Sequence, residues 1–321
     1  MARQFTDCKG YVTFRTLYTG NNAHILDAFD SRVADGDNAG DDDEAISPFV
    51  LKVFRSVRGA SVKEVPEIQH MEALPPHLNV LAPVGFATFR RFPAALFQRY
   101  SADLFDVVLA RFEPSRPCPP TMAMCRHMFV QVARAVKHCH DNGMAHLDIK
   151  LENVFVDAAG VDGDWMAMRA VLGDFEFAAP VGTSCKRSVG TNGYQAPEML
   201  ALRDRLRGFA VAPAPCDVWS LGMLLCVMAT GKQVAFVCGA TVKYVAEQLR
   251  ANARVSNQYA ESPCVLDAEL ESLHDLLQGM LQETPDDRMT INDVLLHAWT
   301  TGAAAEAAED VGSSEASASV P

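Results

Sequence analysis

The sequence lacks an excess of positive charge, and this excludes several modes of binding. Its 321 residues include 28 Lys and Arg against 40 Asp and Glu, a formal net charge of −12. A net charge of that sign argues against binding nucleic acid or an anionic membrane through the general electrostatic field. It is compatible with a nucleotide enzyme, because a few local Lys side chains and Mg²⁺ can hold phosphates on an acidic protein.

Long hydrophobic runs and paired cysteines are also missing. No uninterrupted apolar run reaches the ~18 residues typical of a membrane-spanning helix, and residues 1–10 lack the apolar centre of a signal peptide. The nine cysteines show neither CxxC pairs nor zinc-ligand spacing, so we expect reduced thiols in a cytoplasmic or, alternatively, nuclear protein. The length and the 49% hydrophobic content allow two lobes with substantial cores.

Residues 146–176 hold the residue types that phosphoryl transfer needs, in a fixed order. Asp148 can accept a proton from an attacking hydroxyl, and Lys150 can neutralise charge on a moving phosphoryl group. Asn153 and Asp174 offer the oxygen ligands that Mg²⁺ prefers. This stretch therefore predicts catalysis by Asp148 and Lys150, with metal binding by the other two.

The two ends of this stretch resemble motifs of the eukaryotic protein kinases. Residues 146–153 are similar to the catalytic loop His-Arg-Asp-x-x-x-x-Asn, and residues 173–176 are similar to the metal loop Asp-Phe-Gly. Leu147 replaces the Arg that in many kinases binds a phosphorylated activation segment, which predicts activation without that phosphate. Glu176 replaces the glycine, which is expected to restrict the loop and to add negative charge near the metal. His146 is expected to pack beneath the metal loop as a structural residue.

The resemblance covers residues 11–300 and implies an α+β, two-lobed kinase fold. The small β-rich N-lobe would span about residues 11–99, and the larger helical C-lobe about residues 100–300. Residues 1–10 would form an extension, and residues 301–321, rich in Ala, Ser and Glu, a low-complexity tail that is expected to be disordered.

Within the predicted N-lobe, the resemblance assigns a lysine to the ATP phosphates. Lys52 interrupts the apolar strand 49–54, where an unpaired charge would be costly. It resembles the kinase lysine that contacts the α- and β-phosphates. Glu67, on the following predicted helix, is the expected partner of Lys52, with Glu64 and Glu72 as alternatives.

A short strand over residues 11–17 and a second strand over residues 25–29 are predicted, and the turn between them lies where kinases carry a glycine-rich loop over the ATP phosphates. Only Gly20 remains of the three expected glycines, because Tyr18 and Ala23 replace the others. Taken alone, the segment is an ordinary turn. The resemblance assigns Gly20 and Ile25 to ATP binding.

Strands over 80–89 and 94–100 complete the predicted sheet and lead to the position of the kinase hinge. Arg99 and Tyr100 fall where the backbone would hydrogen-bond to adenine. Asp103 could hold a ribose hydroxyl or cap the next helix, and the cap is the favoured interpretation.

A helix over 121–142 is indicated by apolar residues at three- and four-residue steps. Its His138 and His140 are interpreted as helix-surface residues, not as metal ligands. The acidic segment 34–45 has carboxylates at alternate positions, but it lacks the twelfth-position Glu of a calcium loop. A solvated loop is the better interpretation of that segment.

Residues 190–198 read Gly-Thr-x-x-Tyr-x-Ala-Pro-Glu, a segment similar to a signature of the Ser/Thr kinases. The resemblance implies that Thr191 bonds near Asp148 and Lys150 and helps to form the site for the substrate hydroxyl. It also implies that Glu198, at the end of this segment, needs a cationic partner, because a buried charge is costly when left alone.

The remaining motifs are structural. The resemblance implies that Arg288 is the partner of Glu198, and that Asp217 binds backbone N–H groups of the catalytic loop. The apolar segment that follows Asp217 predicts a helix buried on all sides. Further helices are predicted over 241–253, 267–282 and 290–299, and the last of these resembles the ending of the calcium/calmodulin-dependent-like group.

The activity that the resemblance implies is Mg²⁺-dependent transfer of the ATP γ-phosphoryl group to Ser or Thr hydroxyls of a protein substrate. We expect no nucleic-acid or membrane partner, and the sequence leaves the oligomeric state open. One alternative is a pseudokinase that acts as a nucleotide-binding scaffold or allosteric partner, which the poor glycine loop and Glu176 favour. Another is a small-molecule phosphotransferase of the aminoglycoside type, against which residues 191–198 and the Asp217 helix argue.

Overall fold

The computed structural model describes residues 11–12, 16–20, 22–30, 47–55, 58–111, 121–157, 165–204, 211–232, 243–245, 247–248 and 263–303. The acidic segment 34–45, the extension 1–10 and most of the predicted helix 241–253 lie outside these residues, as do residues 304–321 of the tail. The chain divides into two units, one of residues 1–76 and 80–100 and one of residues 77–79 and 101–321.

The first unit is built on an antiparallel sheet. Its strands are β1 (Tyr11–Val12), β2 (Thr16–Thr19), β3 (Ala23–Asp30), β4 (Phe49–Phe54), β5 (Gly85–Phe89) and β6 (Phe92–Gln98). The order is β1-β3-β4-β6-β5, with β2 also paired to β3. A 3-10 turn (Val62–Glu64) and helix α1 (Pro66–Ala73) follow β4.

Alternation along the strands sets the core of the first unit. Side chains two residues apart share one face of a sheet, and the buried cluster consists of Leu26, Ala28, Leu51, Val53, Ala94 and Leu96. The predicted strand 80–89 begins only at Gly85, because Pro83 has no N–H to donate to a ladder. The predicted strand 94–100 is β6, which begins and ends two residues earlier.

The second unit is mainly helical. Its helices are α2 (Leu104–Arg111), α3 (Met122–Asp141), α4 (Pro197–Ala201), α5 (Pro213–Thr230), α6 (Pro263–Met280), α7 (Ile291–Leu296) and α8 (Ala298–Thr301). Its short strands are β7 (Ala102–Asp103), β8 (Met144–Ala145), β9 (Val154–Asp157), β10 (Arg169–Leu172) and β11 (Ala179–Pro180). These strands form the sheets β10-β9-β7 and β11-β8. A sheet unit and a helical unit confirm the predicted α+β class.

Helix α5 is the core of the second unit. Among the described helices it alone is long and apolar enough to cross a membrane by composition, with a mean hydropathy of 1.3 over 18 residues. The buried helix predicted from the apolar segment after Asp217 is confirmed, and Asp217 itself interrupts the apolar run. Since 89% of the helix is buried inside the protein, it serves as a core helix.

The predicted helix 290–299 is two helices. The backbone of His297 is extended, with ψ 145°, and this residue separates α7 from α8. The His297 ring then accepts a hydrogen bond from the Trp299 N–H at 3.2 Å and so caps α8. The prediction was wrong here because a capping histidine interrupts an otherwise helical apolar pattern.

Candidate active site

Asp217 sets the backbone of the predicted catalytic loop. Its carboxylate is fully buried and accepts hydrogen bonds from the N–H groups of His146 and Leu147, each at 2.7 Å. Leu147 adopts the left-handed region, with φ 65°, which costs free energy for a residue other than glycine. The two hydrogen bonds stabilise that conformation and fix the direction in which Asp148 leaves the loop.

His140 is a third partner of Asp217, which the sequence analysis missed. Its Nε2 lies 2.8 Å from Asp217 Oδ2, although the sequence analysis placed His140 on a helix surface. This contact joins the last turn of α3 to α5. Helical periodicity could not reveal it, because the partners are 77 residues apart in the chain.

Asp148, Lys150 and Thr191 form a closed triangle of polar contacts. The Thr191 hydroxyl donates to Asp148 Oδ1 at 2.7 Å, and Lys150 Nζ donates to Thr191 Oγ1 at 2.8 Å. Lys150 Nζ also lies 3.0 Å from Asp148 Oδ2. An acid, a cation and a hydroxyl are thus held within hydrogen-bond distance of one another, as a hydroxyl-activating site requires.

Asn153 completes this cluster. Its Nδ2 donates to the carbonyl of Asp148 at 2.9 Å and to Asp148 Oδ2 at 3.0 Å. Because the NH₂ group is used in this way, the amide oxygen points elsewhere, and no described residue donates a hydrogen bond to it. Asn153 therefore orients the carboxylate and keeps one oxygen ligand available.

The metal loop is tied to the catalytic loop through Gly173. The Gly173 N–H donates to the Asn153 carbonyl at 2.9 Å, and His146 Nε2 lies 2.9 Å from the Gly173 carbonyl. The next residue, Asp174, has φ 64°. The ring of Phe175 meets the His146 ring edge-on, with centroids 4.8 Å apart. His146 thus lies against the metal loop, where a structural role was predicted.

The oxygen donors present fit a magnesium ion. Asn153 offers its unused amide oxygen, and Asp174, one residue beyond Gly173, offers a half-buried carboxylate. An amide oxygen and a carboxylate are hard ligands of the kind that Mg²⁺ selects. These two residues would hold the ion.

Gly190 is a second residue that sequence analysis missed. Its φ is 91°, and a Cβ at this position would lie 2.5 Å from the backbone oxygen of Leu147. Only glycine allows the segment carrying Thr191 to pass so close to the catalytic loop. Gly190 is the first residue of the segment that the sequence analysis recognised. The need for glycine there arises from a tertiary contact, which the sequence does not show.

Glu198 and Arg288 form a buried, two-pronged ion pair, as expected. Arg288 Nη1 and Nη2 donate to the two carboxylate oxygens at 2.7 and 3.0 Å. The guanidinium also lies over the Trp219 ring, 5.1 Å from its centroid. Burial, followed by the negative charge of Glu198, raises the pKa of the Cys216 thiol. Protonated Cys216 donates to Glu198 Oε1 at 3.3 Å.

In the first unit, Lys52 pairs with Glu67. The Nζ–Oε1 distance is 2.7 Å, and the two side chains are 16% and 7% exposed. The alternative Glu64 instead accepts the N–H of Ser61 at 2.6 Å within a capping box, and the side chain of Glu72 is exposed. The geometry selects the favoured partner of the three.

The turn at Gly20 is tight and is covered by an aromatic ring. The Gly20 N–H donates to the Ala23 carbonyl at 2.9 Å, and a Cβ at Gly20 would lie 2.8 Å from the Tyr18 ring. Ile25, on β3, lies opposite Lys52 of β4 in the register. The tyrosine that replaces a glycine therefore packs on the remaining glycine.

The predicted hinge residues make contacts of their own. Arg99 Nη1 pairs with the buried Asp27 at 2.5 Å, and the Arg99 N–H donates to the Pro48 carbonyl at 2.9 Å. Tyr100 is partly buried. The pairing of Arg99 with Asp27 was not predicted, since 72 residues separate them.

Asp103 is a helix cap in the structure. Its Oδ1 accepts the Asp106 N–H at 2.8 Å at the start of α2, as the favoured interpretation has it. Partial burial raises the pKa of this carboxyl, and the backbone hydrogen bond opposes that shift.

The two departures from the kinase pattern are both accommodated. Leu147 is buried, with only 5% of its surface exposed, so an apolar side chain suits the position. Glu176 is exposed, and its φ lies outside the left-handed region, so this conformation does not require glycine there. The backbone at Glu176 is therefore not strained by the replacement of glycine.

The chain is similar to known protein kinases. The family model described as "Protein kinase domain" matches residues 42–300. The chain is 31% identical over 179 residues to testis-specific serine/threonine-protein kinase 5 of Mus musculus, covering 54% of this chain and 41% of that protein. It is 27% identical over 288 residues to CBL-interacting protein kinase 29 of Oryza sativa subsp. japonica, covering 89% and 55%. Each match thus spans less than two thirds of the relative's length.

Proposed function

The chain belongs to the protein kinase domain family, in its Ser/Thr branch, and from this premise we propose that it is an active, Mg²⁺-dependent protein kinase. The activity is the transfer of the γ-phosphoryl group of ATP to Ser or Thr hydroxyls of a protein. The observation that carries the proposal is the closed contact between Asp148, Lys150 and Thr191. A pseudokinase has no need to keep these three groups within hydrogen-bond distance.

In the proposed reaction, Asp148 orients the substrate hydroxyl and accepts its proton as the oxygen attacks the γ-phosphorus. Lys150 stabilises the negative charge of the transferring group. Thr191, already bonded to both, shapes the space for the hydroxyl. Positioning and charge stabilisation supply most of the rate in such a reaction.

The ATP-binding residues are proposed on the same basis. Lys52, held by its ion pair with Glu67, would bind the α- and β-phosphates. Gly20, Ile25 and the backbone at Arg99 would contact the rest of the nucleotide. Tyr100, which follows Arg99, belongs to the same proposed adenine contact.

Asn153 and Asp174 would hold Mg²⁺, with Asn153 oriented by its bonds to Asp148. A bound Mg²⁺ would neutralise phosphate charge. The chain's own contribution is the fixed direction of the amide oxygen and the placement of Asp174 by Gly173.

The second candidate is a nucleotide-binding scaffold without turnover. It is favoured by the first turn, where Tyr18 covers Gly20 and two of the usual glycines are replaced. Such a protein would bind ATP through the same Lys52–Glu67 pair. Its function would survive the loss of Asp148.

We further propose a cytoplasmic or nuclear location, a protein substrate and membership of the calcium/calmodulin-dependent-like group of kinases. The matched CBL-interacting kinase supports the proposed membership of that group. The acidic net charge and the reduced thiols expected from the sequence support the cytoplasmic or nuclear location. Nucleic acid and membranes are not among the proposed partners.

The test measures label transfer from γ-labelled ATP with Mg²⁺ to a mixed Ser/Thr peptide library, beside nucleotide binding in the same samples. Asp174→Ala should abolish transfer, and the exposed control Asp287→Ala should leave it unchanged. Transfer by the wild type that Asp174→Ala does not reduce would overturn the metal assignment. Binding of nucleotide by the wild type with no transfer above Asp174→Ala would favour the scaffold.

A further inference from the structure

A groove in the second unit shares no lining residue with the proposed catalytic and metal-binding site. It is a cavity of about 540 Å³ between α3, β10 and the residues 77–79. Three arginines line it, and no Asp or Glu is among the described lining residues. Its lining includes Leu78, Arg126, Arg134, Met166, Arg169 and Thr300. We call this surface the arginine groove.

Two of the three arginines of this groove are paired with acids, so its net positive charge, on a chain of net charge −12, comes from Arg134. Arg126 is fixed by Glu269 and by the Trp299 carbonyl, and Arg169 lies 3.1 Å from Asp157. Arg134 is exposed and has neither an ion pair nor a hydrogen bond among the residues that the structure describes. A concave surface with this charge attracts a ligand that carries carboxylates.

Two apolar side chains accompany these charges. Leu78 is 75% exposed and Met166 is 55% exposed, although both line the groove. Exposed large apolar groups beside a concave surface are typical of a docking site for a peptide. The ligand should therefore combine acidic residues with small or apolar ones.

The floor of the groove is fixed. Gln131 accepts the Ala170 N–H at 3.0 Å and the Asn79 Nδ2–H at 3.1 Å, and it donates to the Met168 carbonyl at 3.1 Å. These bonds join α3, β10 and residues 77–79. A ligand would meet a preformed shape and would lose less entropy on binding.

Helix α8, which residues 304–321 follow in the sequence, ends beside this groove. Thr300 lines the groove, and α8 ends at Gly302, where a Cβ would lie 4.0 Å from Arg126 Nη1. Residues 304–321 contain no Lys, Arg or His and carry four carboxylates, Glu306, Glu309, Asp310 and Glu315. Alanines separate Glu306 from the adjacent pair Glu309 and Asp310, and Val311, a glycine and two serines separate that pair from Glu315. Eighteen residues can span roughly 60 Å when extended, more than the groove requires.

We propose that the acidic segment 304–321 docks in cis into the arginine groove, with its carboxylates beside Arg134 and its apolar residues on Leu78 and Met166. Exposed ion pairs are individually weak. A segment tethered at the groove's rim has an effective concentration on the order of millimolar, so that weak contacts suffice. This interaction does not depend on catalysis.

The test is photo-cross-linking in the full chain, with p-benzoylphenylalanine in place of Val311 and the products mapped by mass spectrometry. Isotope-labelled and unlabelled chains are mixed, so that cross-links within one chain are distinguished from those between copies. We expect cross-links within one chain to peptides that contain Met166, Leu78 or Arg134. Their yield should fall as ionic strength rises.

Charge variants make the test specific. Arg134→Glu should lower the yield roughly threefold or more, and so should the tail variant Glu306→Gln/Glu309→Gln/Asp310→Asn, which changes none of the residues that the structure describes. Arg203→Glu, an exposed change outside the groove, should leave the yield unchanged. Cross-links between copies, cross-links outside the groove, or a yield insensitive to both sets of variants would overturn the proposal.

Discussion

The carboxylate of Asp217 holds Leu147, the residue before the proposed catalytic acid, in a left-handed backbone conformation through a 2.7 Å hydrogen bond. The adjacent His146 N–H and the His140 ring bind the same carboxylate. The loop of His146 and Leu147 and the last turn of α3 thus converge on one buried carboxylate. The catalytic loop therefore depends on a residue that performs no chemistry.

Asp217→Asn should destabilise the protein, because an Asn oxygen replaces only one of the two acceptors and leaves a buried N–H unsatisfied. The expected loss in unfolding free energy is about 1–3 kcal/mol. Urea denaturation measures it, with the exposed Asp287→Asn as a control that should change little. Equal stabilities of the two variants would contradict the proposed role.

Gly190→Ala should distort the contact between the segment carrying Thr191 and the catalytic loop. The alanine must tolerate φ 91° and a Cβ 2.5 Å from the Leu147 oxygen. We expect a loss of about 1–3 kcal/mol in unfolding free energy and a lower rate of phosphate transfer. Gly182→Ala is the matched control, since its Cβ would meet nothing within 4 Å. Similar behaviour of both variants would refute the steric argument.

The Glu198–Arg288 pair allows a double-mutant test. Arg288→Met should cost about 3–5 kcal/mol, because it leaves a buried carboxylate without its partner. Arg288→Met with Glu198→Leu should cost less than the single change, since no charge is then left buried. Asp157→Ala, which breaks a more exposed pair, should cost at most about 1 kcal/mol. A double variant less stable than the single one would contradict this explanation.

The stability of the second unit should depend on His77. Burial lowers the pKa of His77 below its ordinary value of 6.5, and His138, whose ring is stacked 4.6 Å away, and Arg134 lower it further. The native state therefore binds fewer protons than the unfolded state. The unfolding free energy should be unaffected well above pH 6.5 and should fall as the pH drops below it.

His77→Gln removes this titration and should flatten the dependence. The measurement is urea denaturation between about pH 7.5 and pH 5.5, where an imidazole changes charge. A variant with the same slope as the wild type would show that other groups cause the dependence.

The sequence alone could predict those elements of the fold and of the site that depend on neighbouring residues in the chain. The strand around Lys52, the helix carrying Glu67 and the segment carrying Thr191 follow from spacing and short motifs. The order of these motifs suffices to identify the fold. Their contacts then follow from the resemblance.

The remaining contacts join residues that are distant in the chain and chemically unremarkable. His140 looks like an ordinary helix residue until it meets Asp217, and Arg99 and Asp27 are single charges among many. Gly190 needs its positive φ only because the Leu147 oxygen lies beside it. Such pairings depend on three-dimensional packing and have no local sequence signal.

The rate of phosphate transfer by Asp148→Asn is the measurement to make first. The variant keeps the size of the side chain but removes the proton acceptor. With Mg²⁺, saturating γ-labelled ATP and a Ser/Thr peptide that the wild type modifies, kcat should fall roughly 10²- to 10⁴-fold. Nucleotide binding should be retained. A kcat within a few-fold of the wild type would contradict the assignment of Asp148 as the base and, with it, the proposed reaction.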